Sequence, residues 1–246
     1  MSRARFDRTA MIFAAGRGER MRPLTDTCPK PLLRVGGKPL IEWQIERLAA
    51  AGYTTIVINH AWLGDQIETA LGDGARWGVA LRYSPEADAL ETAGGVRQAL
   101  PLLETCGEPA VFLAVSGDVY SDFDYARLDT RAEVLAAQAE PGMHLVMVPN
   151  PPFHPAGDFA LTADGMLSLD DRSERLTFGN IGLYDTRMFR ELPRGAKRAL
   201  TPYYRDTIAT RHASGELYEG KWENIGTPAQ LAALDRELGG SGDGGR

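Results

Sequence analysis

The stretch Thr9-Ala10-Met11-Ile12-Phe13-Ala14-Ala15-Gly16-Arg17-Gly18-Glu19-Arg20-Met21-Arg22-Pro23 decides how the rest of this chain is read. Its opening run is apolar, short and followed at once by glycines, which predicts a buried strand ending in a tight turn. Glycine in such a turn lets backbone N–H groups come close to phosphate oxygens. Arg17 and Arg20 lie in the turn, and Lys30 follows in Lys30-Pro31-Leu32. Those three cations suit a triphosphate cradle, and the same residues suit a solvated surface loop. The spacing is neither the Gly-Lys-Ser/Thr phosphate loop nor the dinucleotide G-x-G-x-x-G pattern.

Outward from this turn, short apolar runs alternate with amphipathic stretches. Residues 40–51 place Ile41, Ile45, Leu48 and Ala49 on one helical face, and Gly52 ends that helix. Residues 54–59 are β-branched and read as a strand. Residues 63–71 predict a second helix and 79–83 another strand. Residues 94–103 predict a helix stopped or kinked near Pro101. Residues 110–116 predict a buried strand. This rhythm predicts an α/β fold of Rossmann-like type, a mostly parallel sheet flanked by helices. After about Met143 the rhythm changes. Residues 144–148, 158–162, 166–169, 176–184 and 216–222 read as strands, with a few helices and a closing helix over 228–238. They predict antiparallel strands added to the first sheet, a common way to build a second ligand pocket. One continuous domain over residues 9–238 is expected, in two halves, 9–142 and 143–238. The end, residues 239–246 (GGSGDGGR), reads as a disordered tail.

Composition narrows the function classes. The 246 residues are 43% hydrophobic and 24% charged, enough for a sizeable core. The net charge of −6 argues against a broad nucleic-acid surface, though not against a local basic pocket. Two cysteines, Cys28 and Cys106, make no disulfide framework, and four scattered histidines have no zinc spacing. No apolar run is long enough for a signal peptide or a membrane span, so a cytoplasmic protein is expected, with no membrane partner.

Three further segments carry candidate chemistry. Ser116-Gly117-Asp118 ends a predicted strand, where a carboxylate points into the crevice of an open sheet or caps the next helix. Ser84-Pro85-Glu86 through Leu90-Glu91-Thr92-Ala93-Gly94-Gly95 is a loop entering a helix, suited to anions and carbonyls or to ordinary capping. Trp222-Glu223-Asn224-Ile225-Gly226-Thr227-Pro228 precedes the closing helix.

The segment A-A-G-x-G-E-R-M-R-P-L-T with P-K-P-L resembles the signature of the sugar-phosphate nucleotidyltransferases, over roughly residues 9–236. The resemblance implies that the chain joins a nucleoside triphosphate to a sugar 1-phosphate and releases pyrophosphate with Mg²⁺ as cofactor. It makes residues 9–142 the nucleotide-binding half and 143–238 the sugar-binding half. It implies triphosphate contacts from Ala14, Ala15, Gly16, Gly18 and Arg20, and Lys30 at the reacting centre. Asp118 inherits a metal-ligand role, Gly117 beside it contacts the nucleotide, and Glu86 and Thr92 lie near the base. Asn224 stands where the family's W-x-D-x-G-T-P carries a second metal-ligating Asp, so weaker metal binding is expected. Asn59-His60-Ala61-Trp62-Leu63-Gly64, Gly157-Asp158-Phe159 and the short length resemble the uridylyltransferases that act on N-acetylmuramate 1-phosphate in cell-wall recycling. On that branch Asn59, Glu91, Asp158 and Asn180 are sugar contacts. His60 and Trp62 read as well as a packed helix start. A mannose 1-phosphate guanylyltransferase and a glucose 1-phosphate thymidylyltransferase are the sibling readings, and a non-catalytic nucleotide-binding subunit is the reading from another class. A monomer or small homo-oligomer is expected.

Overall fold

The computed structural model describes residues 4–170 and 172–239. All but the first residue of the expected tail lie outside the described residues. In chain order the elements are β1 (Arg5–Phe13), β2 (Arg34–Val35), β3 (Lys38–Pro39), α1 (Leu40–Ala50), β4 (Thr55–His60), α2 (Gly64–Leu71), β5 (Ala80–Pro85) and α3 (Glu91–Leu103). Then come β6 (Ala110–Ser116), β7 (Val119–Ser121), α4 (Asp129–Ala137), β8 (Met143–Val148), β9 (Phe159–Leu161), β10 (Leu167–Ser168) and β11 (Arg175–Asp185). The chain closes with α5 (Thr201–Ala209), β12 (Ala213–Leu217), β13 (Trp222–Asn224) and α6 (Pro228–Glu237).

Strands β5, β4, β1 and β6 form a parallel core in that order. β11 joins β6 antiparallel and carries β8 and β9 beside it, while β12 runs parallel to β8. Alternate residues of the core strands enter different apolar layers. Ala10, Ile12, Ile56, Ile58, Leu113 and Val115 face α1, α2 and α4. Met11, Val57, Phe112 and Ala114 face α3 and α5. Burial on both faces is why these strands read as unbroken apolar runs. A third, smaller cluster joins Met21, Leu33, Val35, Leu40, Tyr120, Ile225 and Leu234.

Several elements depart from the expected bounds. β1 begins at Arg5, because Arg5 N–H donates to Pro109 O at 2.8 Å and the strand pairs with β6 on both sides of an irregularity at Arg8. α3 starts at Glu91 and runs through Pro101 to Leu103. The strand expected over 216–222 is two strands: β12 ends at Leu217, and Trp222 opens β13, which pairs with β7 in a separate ribbon. β7 is three residues long, too short for any periodicity to announce.

Candidate active site

The carboxyl ends of β1, β4 and β6 lie side by side, where open α/β sheets present their ligand sites. Asn59 sits at the end of β4 itself, and the loops leaving β1 and β6 carry the glycine turn and Asp118. Together with the first turn of α3 they enclose a cavity of 480 Å³. Ala14, Ala15, Gly16, Gly18, Arg20, Lys30, Asn59, Glu91, Thr92 and Asp118, all expected from the sequence, line it.

Gly18 has φ 69°, a conformation strained for any side chain. A Cβ there would lie 3.0 Å from the Thr25 methyl and 3.2 Å from Lys30 Cβ. The Thr25 hydroxyl donates to Gly18 O at 2.9 Å, which fixes the turn over Lys30. At Gly16 a Cβ would meet nothing within 4 Å, so its backbone is open to approach from the cavity. Lys30 Nζ lies 2.5 Å from Asp118 Oδ2, and Ser116 Oγ donates to Asp118 Oδ1 at 2.5 Å. Arg20 reaches across to Gly226 and has no ion-pair partner among the described residues. Arg17 turns away: its guanidinium stacks 3.8 Å over Trp62 and donates to Thr25 O at 2.7 Å. The expected three-cation cradle therefore holds two.

A buried relay ties the glycine turn to the loop before α3. Ala14 N–H donates to Asn59 Oδ1 at 3.0 Å. Asn59 Nδ2 donates to Glu86 Oε1 at 2.7 Å, and Leu90 N–H donates to Glu86 Oε2 at 2.7 Å. Burial pushes the Glu86 carboxyl up from its ordinary range, against the pull of those two bonds. Glu86 thus shapes the loop from behind and does not line the cavity. Glu91 opens α3 at φ 61°, an unusual conformation for a non-glycine residue and one common at ligand clamps.

Four other expected residues lie outside the cavity lining. Gly117 makes the β6–β7 turn, its N–H donating to Phe13 O at 2.9 Å. Asp158 serves the backbone of the added strands: Phe178 N–H donates to Oδ2 at 2.8 Å, and His154 sits 3.1 Å from Oδ1. Asn180 occupies the irregularity in β11 at φ 55°. Asn224 stands opposite Val119 of β7, beside Asp118, whose carbonyl accepts from Ile225 N–H at 2.9 Å. His60 is buried with Nε2 2.7 Å from Glu68, as a packed helix start requires.

Asn224 Oδ1 is buried and has no hydrogen-bond partner. One carboxylate and one unspent amide oxygen on neighbouring segments fit a hard divalent cation that takes its remaining ligands from phosphate and water. Among the described residues no cluster of three or more His, Cys, Asp or Glu could hold a metal without such help. Sequence reasoning missed two members of the site. Ser116 was signalled only by its place two residues before Asp118. Lys197, which lines the cavity from the loop before α5, sits in a stretch without any motif.

Among the described residues no helix is long and apolar enough to cross a membrane. Residues 9–153 match the family model described as nucleotidyl transferase. The chain is 50% identical over 224 residues to the N-acetylmuramate alpha-1-phosphate uridylyltransferase of Neisseria meningitidis serogroup B, covering 90% of this chain and 94% of that one. It is 34% identical over 238 residues to the Caulobacter vibrioides protein of the same name, covering 92% and 96%. A Bacillus anthracis chain solved in complex with sucrose shares the fold at a TM-score of 0.78 and 20% identity, over 94% of this chain and 95% of that one. With its glycine turn, paired Lys30 and Asp118 and these relatives over nearly its full length, the chain belongs to the nucleotidyl transferase family.

Proposed function

We infer that this protein transfers the uridylyl group of UTP to N-acetylmuramate α-1-phosphate, releasing pyrophosphate, as a cytoplasmic enzyme of peptidoglycan recycling. The observation that carries the reading is the Lys30–Asp118 pair beneath an open glycine turn, in a chain 50% identical to a relative of that name. The acceptor phosphate is itself the nucleophile. Its second pKa is about 6, so it is ionised near neutral pH and needs no general base. The task is to bring two polyanions into line. At about 4 Å, like charges repel by several kcal/mol at an effective dielectric of about 20.

The backbone of Gly16 and Gly18 and the unpaired Arg20 receive the triphosphate. Lys30 exchanges Asp118 for phosphate oxygens and holds donor and acceptor together at the α-phosphorus. Asp118 and Asn224 would hold Mg²⁺, which when bound supplies charge compensation at the reacting phosphates. The loop that Glu86 shapes meets the base, and residues 9–238 act as one unit, alone or as a small homo-oligomer.

The test is pyrophosphate release across a matrix of nucleoside triphosphates and sugar 1-phosphates with Mg²⁺. Release with UTP and N-acetylmuramate 1-phosphate is expected. Release only with GTP and mannose 1-phosphate, or with dTTP and glucose 1-phosphate, would move the assignment to a sibling. Nucleotide binding without release from any pair would make this a non-catalytic binder.

A further inference from the structure

We propose that Lys197 sets sugar specificity by pairing with the lactyl carboxylate of N-acetylmuramate 1-phosphate, an inference that rests on the substrate reading above. Among the described residues, the chain after residue 142 contributes only Lys197 and Gly226 to the cavity lining, and of these only Lys197 brings a side chain. Its ammonium has no hydrogen-bond or ion-pair partner among the described residues. The other two cations of the cavity come from the first half, and Lys30 is held by Asp118.

The backbone around Lys197 is built onto the first turn of α3. Arg198 N–H donates to Leu90 O at 2.9 Å, and Arg198 O accepts from Gly94 N–H at 3.0 Å. Leu200 N–H donates to Thr92 Oγ1 at 3.1 Å. A Cβ at Gly94 would lie 2.4 Å from Ala196 O, so this close approach requires glycine. Three bonds and a steric fit hold the segment, and Lys197 projects from a fixed base.

The sugar carries two anionic groups. Its phosphate must reach the Lys30–Asp118 corner to attack. Its 3-O-lactyl ether ends in a carboxylate that N-acetylglucosamine 1-phosphate lacks. Glu91 lines the same wall as Lys197, so a second carboxylate docks there only with a cation to meet it. Arg20, the other unpaired cation of the cavity, is taken by the triphosphate on the reading above, which leaves Lys197 for the sugar.

The experiment compares wild type, Lys197→Met and Lys197→Arg on N-acetylmuramate 1-phosphate and N-acetylglucosamine 1-phosphate at saturating UTP. Lys197→Met is expected to raise KM for the muramate sugar about 10- to 100-fold, the worth of one charge-assisted hydrogen bond. Its kcat, its KM for UTP and its KM for the glucosamine sugar stay as in wild type, and Lys197→Arg recovers most of the loss. An analogue whose lactyl group ends in a neutral carboxamide should lose the same factor on wild type and nothing further on Lys197→Met. Equal loss on both sugars would hand Lys197 to the phosphate and overturn the proposal, as would no loss on either. If wild type does not turn over N-acetylmuramate 1-phosphate, the substrate reading falls and takes this assignment with it. If it does and the variant's sugar preference is unchanged, only the role of Lys197 falls.

Discussion

Lys30 and Asp118 hold each other in a crevice that leaves the two side chains 12% and 26% exposed. Removing one partner of so enclosed a pair strands the other charge, which is why neither is a neutral place to mutate. Asn224 is the residue whose role is easiest to measure. Its Oδ1 is buried and unspent, and one added negative charge at about 4 Å from a cation is worth several kcal/mol at an effective dielectric of 20, before desolvation. Asn224→Asp should therefore tighten Mn²⁺ binding, read by titration calorimetry with UTP present, by tenfold or more on the same scale. An unchanged affinity would remove Asn224 from the metal site. At this scale the sequence was most legible where chemistry is contiguous: the glycine turn, Lys30 and Asp118 all reach the cavity. It was least legible where a polar side chain could serve either a ligand or the backbone. Asp158 serves Phe178, and Glu86 serves Asn59 and Leu90. Nothing local distinguishes those uses in advance.

The strands and helices of the first half were readable because burial on both faces of the sheet makes each strand an apolar run and each helix a single stripe. α4 gave no such signal, since Ala132 and Ala136 bury little surface beside Leu135. β7 and β13 gave none because each is three residues long, yet they carry the site: Asp118 precedes β7 and Asn224 ends β13. What holds them is the third apolar cluster, where Met21 follows Arg20, Tyr120 lies on β7 and Ile225 follows Asn224. Leu234 of α6 closes that cluster at 2% exposure. Leu234→Ala should cost about 2–4 kcal/mol and also raise KM for UTP, because the segments carrying Arg20 and Asn224 lose their common support. Leu103→Ala, equally buried but in the layer under α3, should lose comparable stability in a urea melt with KM unmoved. Parallel kinetics for the two variants would separate the cluster from the site.

Across the molecule, the added strands carry their own charge network. His144, buried on β8, lies 2.8 Å from Ser214 Oγ and 3.4 Å from Glu216 on β12, with Arg127 3.4 Å from the same carboxyl. The hydrogen bond from His144 holds the Glu216 carboxyl below its ordinary 4.5, in spite of its partial burial. A carboxyl lowered by folding contributes stability above its unfolded pKa and loses it as pH falls through the folded value. Glu216→Gln should therefore be less stable than wild type at neutral pH, with the gap narrowing below about pH 4.5 in urea melts. A gap constant with pH would show that Glu216 acts only by packing. Long-range pairings such as these, and the docking of α6 through Asp235 Oδ1 onto Gly36 N–H at 2.8 Å, are what local sequence reading could not foresee. That last contact also bears on how the protein is made. Domains generally fold as units, so one still being synthesised waits for its late segments. On the ribosome the glycine turn and Asp118 emerge well before Ile225 and Leu234, which steady them. A nascent chain stalled before α6 should bind no UTP, so translation itself would delay the onset of activity until α6 has docked.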